Sequence, residues 1–233
     1  MKLFVTAMLV VCAVLSTPLR AQEHSVVVEL FTSQGCASCP PADAILHRLA
    51  ARDDVIALAL HVDYWDYIGW KDEYALATNA RRQRGYADVG GRDMIYTPQM
   101  IINGVDDVVG AHAMDVAEII ERQKARKPEI ALSATRRGSQ LSIRAERLGQ
   151  SPAGSMSVQL VRFSPLRTVR ITRGENAGHE LDYANVVDAW SVLGEWDGRA
   201  PLHLETELTG DLPAVVLLQY SGPGEIVAAA ATD

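Results

Sequence analysis

Residues 25–52 read SVVVELFTSQGCASCPPADAILHRLAAR, and the way this stretch divides decides the fold. Ser25 to Phe31 is a short, largely β-branched apolar run, which predicts a buried strand. Thr32 to Cys39 is the loop that follows. From Pro40 onward Ile45, Leu46 and Leu49 fall at helical core spacing. Pro40 and Pro41 suit the first turn of that helix, where a missing N–H costs little. The junction between strand and helix carries two cysteines, Cys36 and Cys39, with two residues between them.

Working outward, Asp54 to Asp63 is a second apolar run and a second buried strand. Residues 72–90 predict a helix with Tyr74, Ala75, Ala77 and Tyr86 turned inward. TPQMIINGVDDVVGAH, residues 97–112, reads as strand, turn at Asn103-Gly104, strand. Residues 114–127 predict a closing amphipathic helix. Strands joined through helices call for an α/β layered domain. The text changes near Lys124–Ile130, after which short strand-like segments follow one another: 129–135, 140–146, 157–163, 168–173, 202–208, 214–220 and 225–232. Their spacing predicts an antiparallel, sandwich-like or barrel-like unit. Arg173 to Glu180, RGENAGHE, is glycine-rich but lacks the strand-then-helix setting of a nucleotide loop, so it is read as a shaped turn. The expected division is an α/β domain over residues 24–127 and a β-rich companion over 128–233, with the boundary near Pro128.

The first residues, MKLFVTAMLVVCAVLSTPLRA, place Lys2 ahead of an apolar run that is too short to span a bilayer comfortably. They read as a secretory signal over residues 1–21, cut after Ala21, and predict a periplasmic or secreted protein with no membrane span in the mature chain. Cys12 leaves with the signal, and Cys36 and Cys39 remain as one close pair. An exported chain with one close pair suits reversible disulfide chemistry. A loop this short constrains little of the unfolded chain, so a purely structural bridge adds little stability. The net charge of −7 and the lack of a basic stripe interleaved with aromatics exclude nucleic acid as the expected partner. Arg81 to Arg84, RRQR, is expected to be one solvated helix face.

At the start of a helix, the orphan N–H groups and the positive end of the dipole favour an anion. Here that anion is the Cys36 thiolate, a better nucleophile and leaving group for its depressed pKa. Cys39, one turn on, resolves a mixed disulfide. Two thiolates and a histidine are also a ligand set for Cu(I) or Zn(II). A closed zinc site wants four ligands, and His61 and His112 are read as ordinary histidines. Tyr64, Trp65, Tyr67 and Trp70 crowd into HVDYWDYIGWKD after the second strand. They are either an aromatic rim that receives a substrate segment or a hydrophobic cap on the sheet.

The strand-to-helix junction VVELF…GCASC and the later YTPQMIING resemble the thioredoxin superfamily. More closely, VELFTSQGCASCPPAD, HVDYWDYIGWKD, YTPQMIING, RGENAGHELDYANVV and LGEW together resemble the exported thioredoxin-like family catalogued as domain of unknown function 1223. The resemblance implies a thioredoxin-like fold for residues 24–127 and a cis-proline facing the pair, at Pro98 after Thr97. It also implies a buried carboxylate that moves a proton for the inner cysteine. Glu29 is the candidate, with one extra residue between it and the pair relative to the thioredoxin pattern.

The resulting expectation is an exported thiol–disulfide oxidoreductase. It acts on protein or small-thiol disulfides, exchanges electrons with a redox partner protein, and needs no cofactor or metal beyond the Cys36–Cys39 disulfide. The alternative is a copper-binding or redox-inactive exported binding module.

Overall fold

The computed structural model describes residues 25–149 and 154–232. The expected signal, residues 1–21, and Cys12 with it, lie outside the described residues. Val26–Thr32 forms β1, and every residue of it is buried. Pro40–Leu49 forms α1 and Val55–His61 forms β2, which runs parallel to β1 from Val26↔Val55 to Thr32↔His61. After a 3₁₀ turn at Asp66–Ile68 comes α2, Ala77–Val89. This helix starts five residues later than expected, because Asp72 and Tyr74 are buried in the loop before it. Ala77 is exposed rather than inward-facing. Gln99–Ile102 and Asp106–Val109 form the hairpin β3–β4, joined through Asn103, Gly104 and Val105, with Asn103 and Gly104 at positive φ in the turn that Val105 N–H closes on Ile102 O. Ala113–Lys124 is α3.

The remaining strands are β5 (Ile130–Arg137), β6 (Gln140–Arg147), β7 (Met156–Arg170), β8 (Glu180–Trp196), β9 (Leu202–Glu207), β10 (Ala214–Tyr220) and β11 (Ile226–Ala231). Two differences from the sequence reading matter for the site. Residues 157–163 and 168–173 are not two strands, for β7 runs unbroken through Pro165 as far as Arg170. The reading assigned no strand to residues 180–196, which form β8, the longest among the described residues.

The large sheet has the order β11-β10-β7-β8-β2-β1-β3-β4, so strands from both halves of the chain share it. The expected boundary near Pro128 marks a change from mixed to all-strand chain but not a break in the sheet. The junction is narrow: β2 meets β8 at the single parallel pair Ala59↔Val186, reinforced by Asn185 Nδ2 donating to Ala57 O at 2.9 Å. A second sheet, β5-β6-β9, packs on β7, β10 and β11 around Leu141, Ile143, Val158 and Leu218.

Alternation along β1 sends Val26, Val28 and Leu30 to one face, against Ile45 and Leu46 of α1 and Ile120 of α3. Val27, Glu29 and Phe31 face the other way. On that side Val27 and Phe31 join Tyr86 of α2 in one core with Val161, Val187 and Leu217 of the second half. A sheet covered on both faces requires strands as uniformly apolar as β1. Among the described residues, no helix is long and apolar enough to cross a membrane.

Candidate active site

Cys36 and Cys39 are joined by a disulfide where β1 gives way to α1. Both are 0% exposed, whereas Ala37 and Ser38 between them face solvent. The loop is held by its own amides: Cys36 N–H donates to Ser33 O at 3.1 Å and Cys39 N–H to Cys36 O at 3.2 Å. Cys36 Sγ lies 3.4 Å from Ser38 Oγ. Pro40 and Pro41 occupy the first positions of α1, and the amides of Ala42 and Asp43 both reach Cys39 O. No α1 amide therefore serves Cys36 directly. What remains for a thiolate is the axial dipole and the Ser38 hydroxyl.

The buried carboxylate nearest the pair in the chain is Asp43, not Glu29. It lies one helical turn after Cys39 and is 7% exposed. Thr32 Oγ1 donates to its Oδ1 at 2.8 Å, while its Oδ2 has no hydrogen-bond partner among the described residues. Burial pushes the Asp43 carboxyl up to about 7, against the opposing pull of His61 and the Thr32 hydroxyl. Its surroundings are polar, and it lines a cavity of about 320 Å³ with Pro40, His47 and Leu181. His61 Nδ1 lies 2.7 Å from Asp72 Oδ2, and both side chains are fully buried. Asp72 also accepts from the amides of Gln34, at 2.8 Å, and Tyr74, at 2.9 Å. The His61 ring meets the rings of Tyr183 at 4.6 Å and Tyr74 at 5.4 Å, edge to face. Burial, with Asp43 next in weight, pushes the Tyr183 hydroxyl far up. One sequence stretch thus supplies Asp43, another His61 and Asp72, and β8 supplies Tyr183.

Glu29 lies on the opposite face of the sheet. Arg82 Nε donates to its Oε1 at 2.5 Å, Arg82 Nη2 to its Oε2 at 3.1 Å, and the Tyr86 hydroxyl to its Oε2 at 2.5 Å. Arg82 also stacks over Trp190 at 3.9 Å and donates to Gln219. RRQR is therefore not one solvated face. Arg81 and Arg84 point outward, while Arg82 turns in to Glu29 and Gln83 is buried. A cavity of about 350 Å³ beside Arg82, lined also by Trp190 and Gln219, belongs to this face and not to the disulfide.

Thr97-Pro98 is cis, as the family resemblance implies. Pro98 directly precedes β3, whose Gln99 pairs with Phe31 at the end of β1 from which the cysteine loop leaves. The aromatic stretch divides. Trp65 Nε1 donates to Thr97 Oγ1 at 2.7 Å, and Trp70 Nε1 to Gln34 Oε1 at 2.7 Å, so these two brace the site from either side. Tyr67 stacks on Trp65 and stands 81% exposed, available to a partner. Tyr64 turns to Gln83 instead, its hydroxyl donating to Oε1 at 3.2 Å. Gly35 lets the loop pass beneath Trp65 and Ile68, since a Cβ there would lie 3.1 Å from Ile68 Cδ1.

The turn at Arg173–Glu180 also reaches the site. Asn176 Nδ2 donates to Gln34 O at 2.9 Å and to Cys36 O at 3.0 Å, across 140 residues of chain in the latter case. Nothing in the sequence marked Asn176 as a site residue, because its partners are backbone carbonyls. Asp43 was discoverable, as a carboxylate between the core positions Ala42 and Leu46 of an amphipathic helix. Among the described residues no three His, Cys, Asp or Glu side chains gather as a metal site.

The family model described as protein of unknown function (DUF1223) matches residues 27–219. No curated protein matches the chain. A crystal structure of an Agrobacterium tumefaciens protein is similar, at 35% identity, covering 91% of this chain and 95% of that one with a TM-score of 0.77. HBP35 of Porphyromonas gingivalis shares the fold at 12% identity, covering 90% of this chain and 74% of that one with a TM-score of 0.59.

Proposed function

This chain belongs to the DUF1223 family, whose name assigns no activity, and from its own residues we propose that it is an exported thiol–disulfide oxidoreductase. Its first half is read as thioredoxin-like, with the later strands as companion. The observation that carries the reading is the place of the Cys36–Cys39 disulfide: at the mouth of α1, with a buried carboxyl poised near neutrality one turn beyond. The element order supports it.

In the reduced protein, the Cys36 thiolate attacks a substrate disulfide, forming Cys36–S–S–R and releasing the other half as a thiolate. The Asp43 carboxylate takes the proton of the Cys39 thiol. The Cys39 thiolate then displaces the substrate sulfur from Cys36 and closes the intramolecular disulfide, so that the substrate is reduced and the pair oxidised. A group titrating near 7 serves both this step and its reverse. Thr97 and Pro98 line the approach for a substrate backbone, and Trp65, Tyr67 and Trp70 form its aromatic side. Substrates are protein or small-thiol disulfides in the periplasm or outside the cell, and a separate redox protein returns the pair to its starting state. Cys39→Ser tests the scheme: the folded variant accumulates a mixed disulfide through Cys36, visible by mass and reversed by excess thiol. A folded variant that forms no adduct overturns it.

The full burial of both cysteines favours a second reading, a static disulfide in an exported binding module. The two readings separate on whether the pair exchanges at all.

A further inference from the structure

We infer that the turn between β7 and β8 is a gate over the disulfide, and that Asn176 is the residue that holds it shut. Residues 172–175 and 177–180 are exposed, and Asn176 alone among them is buried, at 6%. Its burial therefore comes from reaching across to the cysteine loop rather than from packing within the turn. A carboxamide has two N–H donors, and its nitrogen meets two carbonyls, that of Gln34 and that of the first cysteine itself, Cys36.

The turn is braced internally. Ile171 N–H donates to His179 O, Gly178 N–H to Ile171 O, and Ala177 N–H to Gly174 O. Gly174 and Gly178 both sit at positive φ. Such a turn lifts as a unit once its contacts with the cysteine loop break. On the other side, a Cβ at Gly174 would lie 3.4 Å from Trp70, whose indole holds Gln34. Thiol–disulfide exchange needs a thiolate to reach a sulfur. With both cysteines at 0% exposure, a reagent reaches neither sulfur until chain around them moves, and this turn is tied to the cysteine loop through Asn176. Opening also frees the carbonyls of Gln34 and Cys36 to accept hydrogen bonds from the backbone of an incoming protein segment.

The gate's purpose rests on the exchange reading, but its existence is tested by access alone. Dithiothreitol reduces the pair by two electrons: one thiolate attacks Cys36 and Cys39 leaves as a thiolate that takes up a proton, after which the reagent's second thiolate displaces Cys36 as it closes to its cyclic disulfide. In wild type the observed rate is expected to level off at high dithiothreitol, at the rate of opening. Asn176→Ala is expected to be reduced roughly thirtyfold faster at low reagent, the factor two ordinary hydrogen bonds supply. A folded N176A reduced at the wild-type rate overturns the gate. Where N176A does not fold, wild type decides: levelling supports the gate, and strict proportionality to reagent overturns it. If N176A is faster yet the Cys39→Ser variant traps no substrate, the gate stands and the oxidoreductase reading falls.

Discussion

Two carboxylates, Glu29 and Asp43, show what burial does to an acid when the partner differs. Glu29 is buried against a guanidinium and a phenol that neutralise and bind it. Removing one member of such a pair leaves an uncompensated charge, so Glu29→Ala is expected to cost about 3–5 kcal/mol. In the same variant the reduction potential of the cysteine pair should stay unchanged, because Glu29 faces the other side of the sheet. Asp43 has one hydroxyl donor and no guanidinium, and burial, only partly offset by His61 and Thr32, lifts it from 3.8 to about 7. Between those values the folded protein holds a proton that the unfolded chain has released. Stability contributed at Asp43 therefore falls as pH rises through that window and is flat above it. Asp43→Asn removes the slope. Urea unfolding at pH 5 and pH 8 should show the variant gaining on wild type at the higher pH by an amount on the order of a few kcal/mol. Parallel curves would show that Asp43 is not buried as described. The sequence exposed both acids but not their partners. The apolar strand around Glu29 drew attention to it, whereas Arg82 looked like part of a solvated basic cluster.

At the level of elements, β1, α1, β2, the β3–β4 hairpin and α3 were legible because each obeys one simple period or turn rule. Strand β8 was not. Its burial alternates irregularly, its pairing with β7 shifts register twice, and Asn185 takes positive φ. These irregularities let one strand meet β7 along one edge and β2 along the other. In β7, Pro165 made one strand look like two. It falls between the paired residues Ser164 and Leu166, opposite Asn185, where the register runs on unbroken and a missing N–H is tolerated. The aromatic stretch was half legible: its position beside the site follows from its place after β2. Which rings brace the loop and which stands free depends on partners at Gln34, Gln83 and Thr97.

For the molecule as a whole, the consequence of the shared sheet is that the first half is not finished by itself. Leu58, Phe31 and Tyr86 pack against Val161, Val187, Val215 and Leu217. A fragment of residues 25–127 is therefore expected to lack a cooperative unfolding transition, checked by circular dichroism on heating. A fragment that melts as sharply as the full chain would show the halves to be independent domains. This dependence was invisible in the sequence, because the change of texture near Pro128 resembles a domain boundary whether or not the strands beyond it rejoin the same sheet. It also gives the later strands a reason to carry Asn176 to the cysteine loop and Tyr183 to His61. The central claim, that the pair exchanges, is tested most directly by its reduction potential, measured in glutathione buffers of graded ratio with time allowed for the gate. Exchanging pairs fall at about −120 to −270 mV, whereas structural disulfides lie below about −300 mV. The account predicts a value within the exchanging range for Cys36–Cys39, and a value below about −300 mV, or no conversion at equilibrium, would contradict it.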